Sequence, residues 1–398
     1  MISRWCAWAF ADVPRRTQVS SDTISSRTGV NARAQEITSA TLALARQFGF
    51  RWLRTDVSWQ LSEPSVGTYS FGELKRRFQL ATASGFNILA ILAYGHPEHT
   101  GMRAPRTAQE RHAFAVFAGA AQSELGSLVS AWEIWNEPNV VPAWTPQPDV
   151  HAYVDLLNEV ATGLWRQDPS AHLVSGGLSK VDLAYLQVLV PAVDLLKRQG
   201  SIALGLHPYR SSAPESLAED LKRAALLDQK NRAVTPGGAR VWSTEWGYAR
   251  GFNPLGADRQ ADYAPRIPLV TAALDIPVSI LFELRDGGPQ GVFAYTYGMV
   301  SRIGAPYGMA HRFEALRDGM VDTAVQFRHV PAMPEDVWAV GSCESALVWP
   351  LSAGGDLGAV ALGCADRLVI SGSPSVCVFD IGRLKPAFPY WVRLGERC

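Results

Sequence analysis

The most constraining feature of this chain is the rhythm of its apolar runs. Short β-branched or aromatic runs recur at intervals of roughly 30 to 45 residues, each followed by a loop and an amphipathic stretch. Strand-like runs fall near 4–10, 50–57, 86–93, 130–136, 171–177, 201–207, 240–245 and 277–284. Helical periodicity lies between them, clearest at 33–48, 72–84, 107–124, 148–166, 182–198, 214–230 and 259–274, with a last helix near 307–318. Parallel strands joined by crossover helices need intervals of this size. Eight such units predict an α/β chain folded as a closed (β/α)8 TIM barrel. An open doubly wound sheet is the rival, but no glycine-rich phosphate loop follows an early strand.

Beyond about residue 321 the rhythm changes. Segments such as "DVWAV", "SALVWPL", "GAVALG", "RLVISG" and "SVCVFDIG" alternate, separated by Gly, Ser, Asp or Pro. They read as antiparallel strands, so the expected organisation is a catalytic barrel over 1–322 and a small C-terminal antiparallel, β-sandwich-like domain over 323–398.

Composition narrows the partners. Lys plus Arg equals Asp plus Glu at 37 each, so the clustered basic surface that nucleic acid or an anionic membrane requires is not expected. A neutral partner fits better. No apolar stretch reaches the 18 or so residues of a membrane span. The early run "WCAWAFA" meets Asp12 almost at once and reads as a buried strand rather than a leader. Cys6, Cys343, Cys364, Cys377 and Cys398 match no zinc spacing; one C-terminal disulfide is conceivable, and free thiols are the simpler reading. No metal or cofactor is expected.

In a barrel, the loops at the C-terminal ends of the strands carry the site. Strand four, "AWEIWNEPN", delivers Asn136 and Glu137 at its end; strand seven, "ARVWSTEWGY", delivers Glu245 at the same height. Two carboxylates on strands three apart face each other across the mouth. Glycosidic cleavage needs this arrangement, with one carboxylic acid to protonate the leaving oxygen and one carboxylate to attack the anomeric carbon. A glutamate at a strand end is more often a solvated loop residue or half of an ion pair, and Glu98 and Glu283 are read so. Glu137 and Glu245 stand apart because each lies in an aromatic, turn-forming context. Glu133, deeper in strand four, reads as a buried carboxylate paired to an arginine.

"WNEPN" and "STEWGY" resemble the catalytic signatures of clan A glycoside hydrolases, over roughly residues 1–320. The resemblance implies Glu137 as acid/base and Glu245 as nucleophile. It also implies that Arg54 in "WLRTDVSW" holds the nucleophile ionised, that Asn136 binds the sugar 2-hydroxyl, and that His207 and Tyr209 in "LHPY" flank the nucleophile. "FELRDGG" at strand eight looks more like family 39 and related bacterial exopolysaccharide hydrolases than family 5, and places Arg285 near the site. Physical reasoning agrees. A nearby cation keeps a nucleophilic carboxylate charged. An acid must hold its proton, so Glu137 should lie near Trp132 or Trp135 and the Glu245 charge, both of which raise its pKa. Replacing Arg54 should cost turnover while the fold survives.

Weaker signals remain. His96 in "GHPEH" is a sugar ligand or a loop histidine with equal weight; Pro97 argues against a metal pair with His99. Trp59, Trp144 and Trp246 are sugar platforms or inter-loop packing. The expected activity is retaining hydrolysis of a polysaccharide or oligosaccharide, with endo action favoured. The alternatives are an exo-acting family-39-type glycosidase or transglycosylase, and a non-catalytic glycan-binding barrel.

Overall fold

The computed structural model describes residues 23–221, 223–224, 241–251, 256–274, 276–288 and 296–322, and strand segments within 328–393. Eight parallel strands close into a barrel in sequence order. They are β1 (Thr28–Asn31), β2 (Trp52–Ser58), β3 (Asn87–Ala93), β4 (Ala131–Asn136), β5 (Leu173–Ser179), β6 (Ile202–His207), β7 (Val241–Trp246) and β8 (Ser279–Leu281). β1 closes the circle by pairing with β2 on one side and β8 on the other.

Seven of the eight strands fall where the apolar runs place them. The first does not: β1 is "TGVN" at 28–31, whereas 4–10 was expected and lies outside the described residues. The reason is steric. A Cβ at Gly29 would collide with Trp52 and with the Ile280 side chain, so packing of the neighbouring strands dictates the residue that removes the β signal.

Two apolar layers result. The larger lies between strands and helices. The helix Val150–Gln167, capped by Asp149 accepting from His151 N and Ala152 N, turns Tyr153, Leu156, Leu157, Val160, Ala161, Leu164 and Trp165 inward at helical spacing. The helix Ala108–Leu125 opens with a Thr107/Glu110 capping box and buries Phe114, Phe117, Ala118, Ala121 and Leu125. Each large apolar side chain so buried contributes about 1.5–3 kcal/mol. The smaller cluster takes Leu89, Ala131, Val174, Ala203, Val278 and Ile280 from successive strands, with Trp52 and Trp242 packed on it. It fills the floor of the lumen.

Because strand side chains alternate, this floor sets what stands above it. Two residues above Trp52 comes Arg54, two above Ala131 comes Glu133, and two above Trp242 comes Thr244. The strands thus put polar groups in the layer between the apolar floor and the mouth.

In the tail, β9 (Arg328–His329), β10 (Val337–Gly341), β11 (Ser345–Pro350) and β14 (Tyr390–Arg393) pair antiparallel in the order β14-β11-β10-β9; β12 (Ala359–Gly363) pairs antiparallel with β13 (Val376–Asp380). Antiparallel strands therefore fall at "DVWAV", "SALVWPL", "GAVALG" and "SVCVFDIG", while "RLVISG" lies outside the described residues. Cys6, Cys343, Cys364 and Cys398 lie outside the described residues, as does the Cys377 side chain. No described helix is long and apolar enough to cross a membrane.

Candidate active site

Arg54 is the hub of the polar layer and is 1% exposed. Its Nε donates to Glu133 Oε2 at 2.8 Å and its Nη1 to Glu245 Oε2 at 2.6 Å. Nη2 donates to Asn136 Oδ1 at 3.0 Å, and Nη1 also reaches Asn31 Oδ1 at 3.4 Å. Burial works against the guanidinium charge, but Glu133 and Glu245 overcome it and hold its pKa above the usual arginine value. Glu133 also accepts from Gly177 N and Thr244 Oγ1, each at 2.9 Å. Burial would raise its carboxyl, yet Arg54 and His207 outweigh that and push it down to about 2. The expected buried arginine pair is thus present. It changes one expectation: removing Arg54 would strand a fully buried carboxylate, so the fold would suffer along with turnover.

Glu245, next to last in β7, has both oxygens held, Oε2 by Arg54 and Oε1 by the Tyr209 hydroxyl at 2.6 Å. Glu137 is held otherwise. Its Oε1 lies 3.1 Å from His207 Nδ1, and His207 Nε2 stands 3.6 Å from Glu133 Oε1 and 3.3 Å from Arg54 Nη2. The Glu137 and Glu245 side chains are 23% and 15% exposed against 0% for Glu133, so the first two can meet a substrate and the third cannot.

The backbone pays for this placement. Trp135 and Glu137 take left-handed φ values of 72° and 43° on either side of Asn136. Such conformations cost of order 1–3 kcal/mol each and persist only where packing over-determines them. Here Trp135 is locked by Nε1 donating to Ala143 O at 3.1 Å and by Phe114 and Trp144. Glu137 N donates to Gly177 O at 3.1 Å. Gly177 is required for a separate reason: a Cβ there would strike the His207 ring and Thr244 Oγ1.

The expected electrostatics of Glu137 are overturned. Burial does push its carboxyl up, but hydrogen bonding and charge from His207 win, and its pKa lies below the ordinary value. Conversely, burial opposes a charged His207, while Glu245, Glu133 and Glu137 lift it to about 9. Sequence reasoning weighed apolar neighbours and a like charge, and did not anticipate an imidazolium in direct contact.

Of the other named residues, His207 meets Glu137, Tyr209 meets Glu245 and Asn136 meets Arg54. Trp59, Trp144 and Trp246 do not act as platforms, since each is 0% exposed and has no free face. Trp59 is sandwiched by His99 and Phe117, and Trp144 packs on Trp135 and Tyr153. His96 is buried too, capping the short helix Pro97–Thr100 through Nδ1 and meeting Glu63 O through Nε2 at 2.9 Å. Arg285 turns away, donating to Arg302 O in an exposed turn. Glu283 forms the ion pair read for it, with Arg33 at 2.8 Å. Among the described residues no group of three or more His, Cys, Asp or Glu could hold a metal ion.

Several site residues went unread. Asn31 of β1 accepts from Arg54, Ser179 of β5 bonds Glu137, and Asp56 of β2, Tyr94 after β3 and Tyr297 beyond β8 lie within electrostatic reach of the carboxylates. Alternation would have found Asp56, two residues beyond Arg54 on the same face of β2.

No protein-family model matches the sequence, and no curated protein matches it. Solved structures do resemble it. A family 39 glycoside hydrolase from the gut symbiont Bacteroides cellulosilyticus WH2 superposes with a TM-score of 0.70 at 17% identity, over 94% of this chain and 81% of that one. A monomeric β-xylosidase from Caulobacter crescentus CB15 gives 0.59 at 16%, over 84% and 78%. Xylanase 10B from Thermotoga petrophila RKU-1, in complex with xylobiose, gives 0.53 at 14%, over 75% and 96%. At these identities the likeness establishes the fold alone: the chain has the eight-stranded parallel barrel of these solved glycoside hydrolases.

Proposed function

We propose that this chain is a retaining glycoside hydrolase in which Glu245 is the nucleophile and Glu137 the acid/base. The observation that carries the reading is the unequal support of the two accessible carboxylates at the barrel mouth. Glu245 is fixed by a permanent cation and a phenol, Glu137 by a titratable imidazole.

In the first step a Glu245 oxygen attacks the anomeric carbon while Glu137 gives a proton to the glycosidic oxygen. The C–O bond breaks and the aglycone leaves as an alcohol. In the second step water loses a proton to Glu137 and attacks the same carbon, releasing the Glu245 carboxylate. The proton that Glu137 gives is stored on the Glu137–His207 pair. The pair holds one proton until His207 titrates at about 9, and the 3.1 Å contact lets it pass to Glu137 as the aglycone oxygen becomes basic. Asn136, oriented by Arg54, is the sugar 2-hydroxyl ligand. The remaining elements of the reading are endo action on a polysaccharide or oligosaccharide and a sandwich-like accessory domain over 323–398.

Chemical rescue tests the roles. Glu245→Gly should be nearly inactive, and azide should restore turnover with a glycosyl azide of inverted configuration. Glu137→Ala should still react with substrates bearing good leaving groups, azide yielding the retained product. Inversion by the unmodified enzyme would reject the mechanism. So would carboxyl groups near 9 Å apart instead of about 5–5.5 Å.

A further inference from the structure

On β2, Trp52, Arg54 and Asp56 share one face of the strand. Trp52 meets Trp242 edge-on at 5.5 Å in the lumen floor, and Arg54 carries the polar network above it. Asp56 therefore stands one layer higher, at the mouth. It is partly buried, yet among the described residues it accepts no hydrogen bond and forms no ion pair. The carboxylates around it differ: Glu133, Glu137, Glu245 and Glu283 all have close partners. Burial pushes the Asp56 carboxyl up, with Arg54, Glu245 and Glu133 near enough to act on it.

The next strand adds an exposed ring. Register pairs Asp56 with Ile91 and Ser58 with Ala93, and Tyr94 follows directly. Tyr94 is 40% exposed, with its ring set edge-on to Trp135 at 6.3 Å. Register thus sets Tyr94 at the same end of the neighbouring strand as Asp56, whose charge, after burial, helps raise the tyrosine hydroxyl pKa. A free carboxylate beside an open aromatic face offers the two contacts that a pyranose ring makes, hydroxyl donation and C–H stacking.

We propose that Asp56 and Tyr94 form a sugar-binding subsite for a non-acidic, hydroxyl-rich pyranose, Asp56 accepting from ring hydroxyls and Tyr94 stacking on the ring. The proposal rests on the glycosidase reading. Charge decides the class of sugar. Arg33 is engaged by Glu36 and Glu283, Arg54 by Glu133 and Glu245, and Arg250 by Asp286. A uronate carboxylate on this side of the mouth would face Asp56 and Glu245 with these cations already committed.

The test combines binding and turnover. Xylo-, manno- and gluco-oligosaccharides are titrated calorimetrically into Glu245→Gln with and without Asp56→Asn, Asp56→Ala or Tyr94→Ala. Aryl glycosides of the best-bound sugar, its monodeoxy analogues and its uronic acid are assayed with the active enzyme. Asp56→Ala should weaken binding of the neutral sugar about tenfold to a hundredfold, the range for hydrogen bonds to a charged acceptor. One monodeoxy analogue should lose the same factor in the wild type and nothing further in the variant. Tyr94→Ala should weaken binding several-fold and Tyr94→Phe should not, because stacking needs only the ring. An equal loss on the parent sugar and every deoxy analogue would mean that Asp56 merely supports Arg54, and the subsite is refuted. Equal turnover of the uronide refutes the charge argument. Binding that depends on Asp56 without any turnover would keep the subsite and reject the glycosidase reading; turnover indifferent to Asp56 would do the reverse.

Discussion

Glu137 and Glu245 stand at the same mouth, on strands of one barrel, and are held in opposite ways. Glu245 is gripped by Arg54 and Tyr209, neither of which gives up a proton near neutral pH. Glu137 touches His207, whose pKa of about 9 makes it a proton store. A guanidinium partner does not titrate near neutral pH, whereas an imidazole partner shares its proton with the carboxylate it touches. Under the proposed function, this difference is what sorts two chemically identical side chains into nucleophile and acid/base.

The largest effect that could break this contrast comes from Arg54. Arg54→Ala should abolish measurable turnover and destabilise the protein by about 3–5 kcal/mol, the usual result of stranding one partner of a buried pair. Denaturant unfolding measures the second effect. Adding Glu133→Gln should recover much of the stability but none of the activity, because Glu245 still lacks its cation. Recovery of both would mean that Arg54 serves the fold alone.

His207→Gln addresses the other carboxylate. Wild-type activity should fall as pH rises through about 9, where the Glu137–His207 pair loses its proton. In the variant only Glu137 can hold that proton, so the alkaline limb should move towards the carboxylic range. Stability supplies a second readout. A histidine raised from 6.5 to about 9 in the folded state adds stability that is complete below 6.5 and lost as pH rises through about 9. Glu133, lowered from 4.5 to about 2, adds stability present above 4.5 and lost as pH falls through about 2. The wild type should therefore resist thermal unfolding best between about 4.5 and 6.5, and His207→Gln should flatten the alkaline side and, because His207 also helps lower Glu133, weaken the acid side in part. An alkaline limb that stays near 9 in His207→Gln would remove the proton-store argument.

Gly177→Ala should act more mildly, through position. The added methyl would meet the His207 ring and Thr244, so the ring must shift from Glu137. Core overpacking costs about 1–3 kcal/mol. The expected signature is a lower kcat with an altered alkaline limb and little change in KM. A KM effect alone would place the clash elsewhere.

Much of this contrast was legible in the sequence, and the rest was hidden for identifiable reasons. "WNEPN" and "STEWGY" announce Glu137 and Glu245 because strand-end polar residues interrupt strong apolar runs. That Glu133 would be buried against an arginine was legible because charges inside strands need partners; that the arginine is Arg54, which also holds Glu245, was not. Gly29 hid β1, because the packing that demands a glycine erases the β pattern. His207 was read beside the nucleophile, but its contact with Glu137 depends on space opened by Gly177 on another strand, which no local pattern reports. The tryptophans misled because ring size is visible in sequence and ring burial is not: Trp59, Trp144 and Trp246 are fully enclosed, while among the described residues the exposed ring near the site is Tyr94.

The smallest expected effect tests where the support of the two carboxylates ends. Arg285 sits in the strand-eight segment whose resemblance placed it near the site, yet its Nη1 donates to Arg302 O at 2.9 Å in an exposed turn. Its neighbours divide the mouth differently. Glu283 faces Arg33, and Asp286 receives Arg250 at 2.6 Å and the Tyr307 hydroxyl at 2.9 Å, so the acidic residues on either side already have partners. An exposed hydrogen bond exchanges readily with water, and surface substitutions of this kind usually fall within about 0.5 kcal/mol. Arg285→Ala should therefore leave unfolding, kcat and both pH limbs close to wild type, while Asp286→Ala, which strands Arg250, should cost clearly more stability. A tenfold or greater fall in kcat/KM for Arg285→Ala, with stability unchanged, would show that the side chain swings onto substrate during turnover. The strand-eight resemblance would then have read the site more accurately than the resting geometry does.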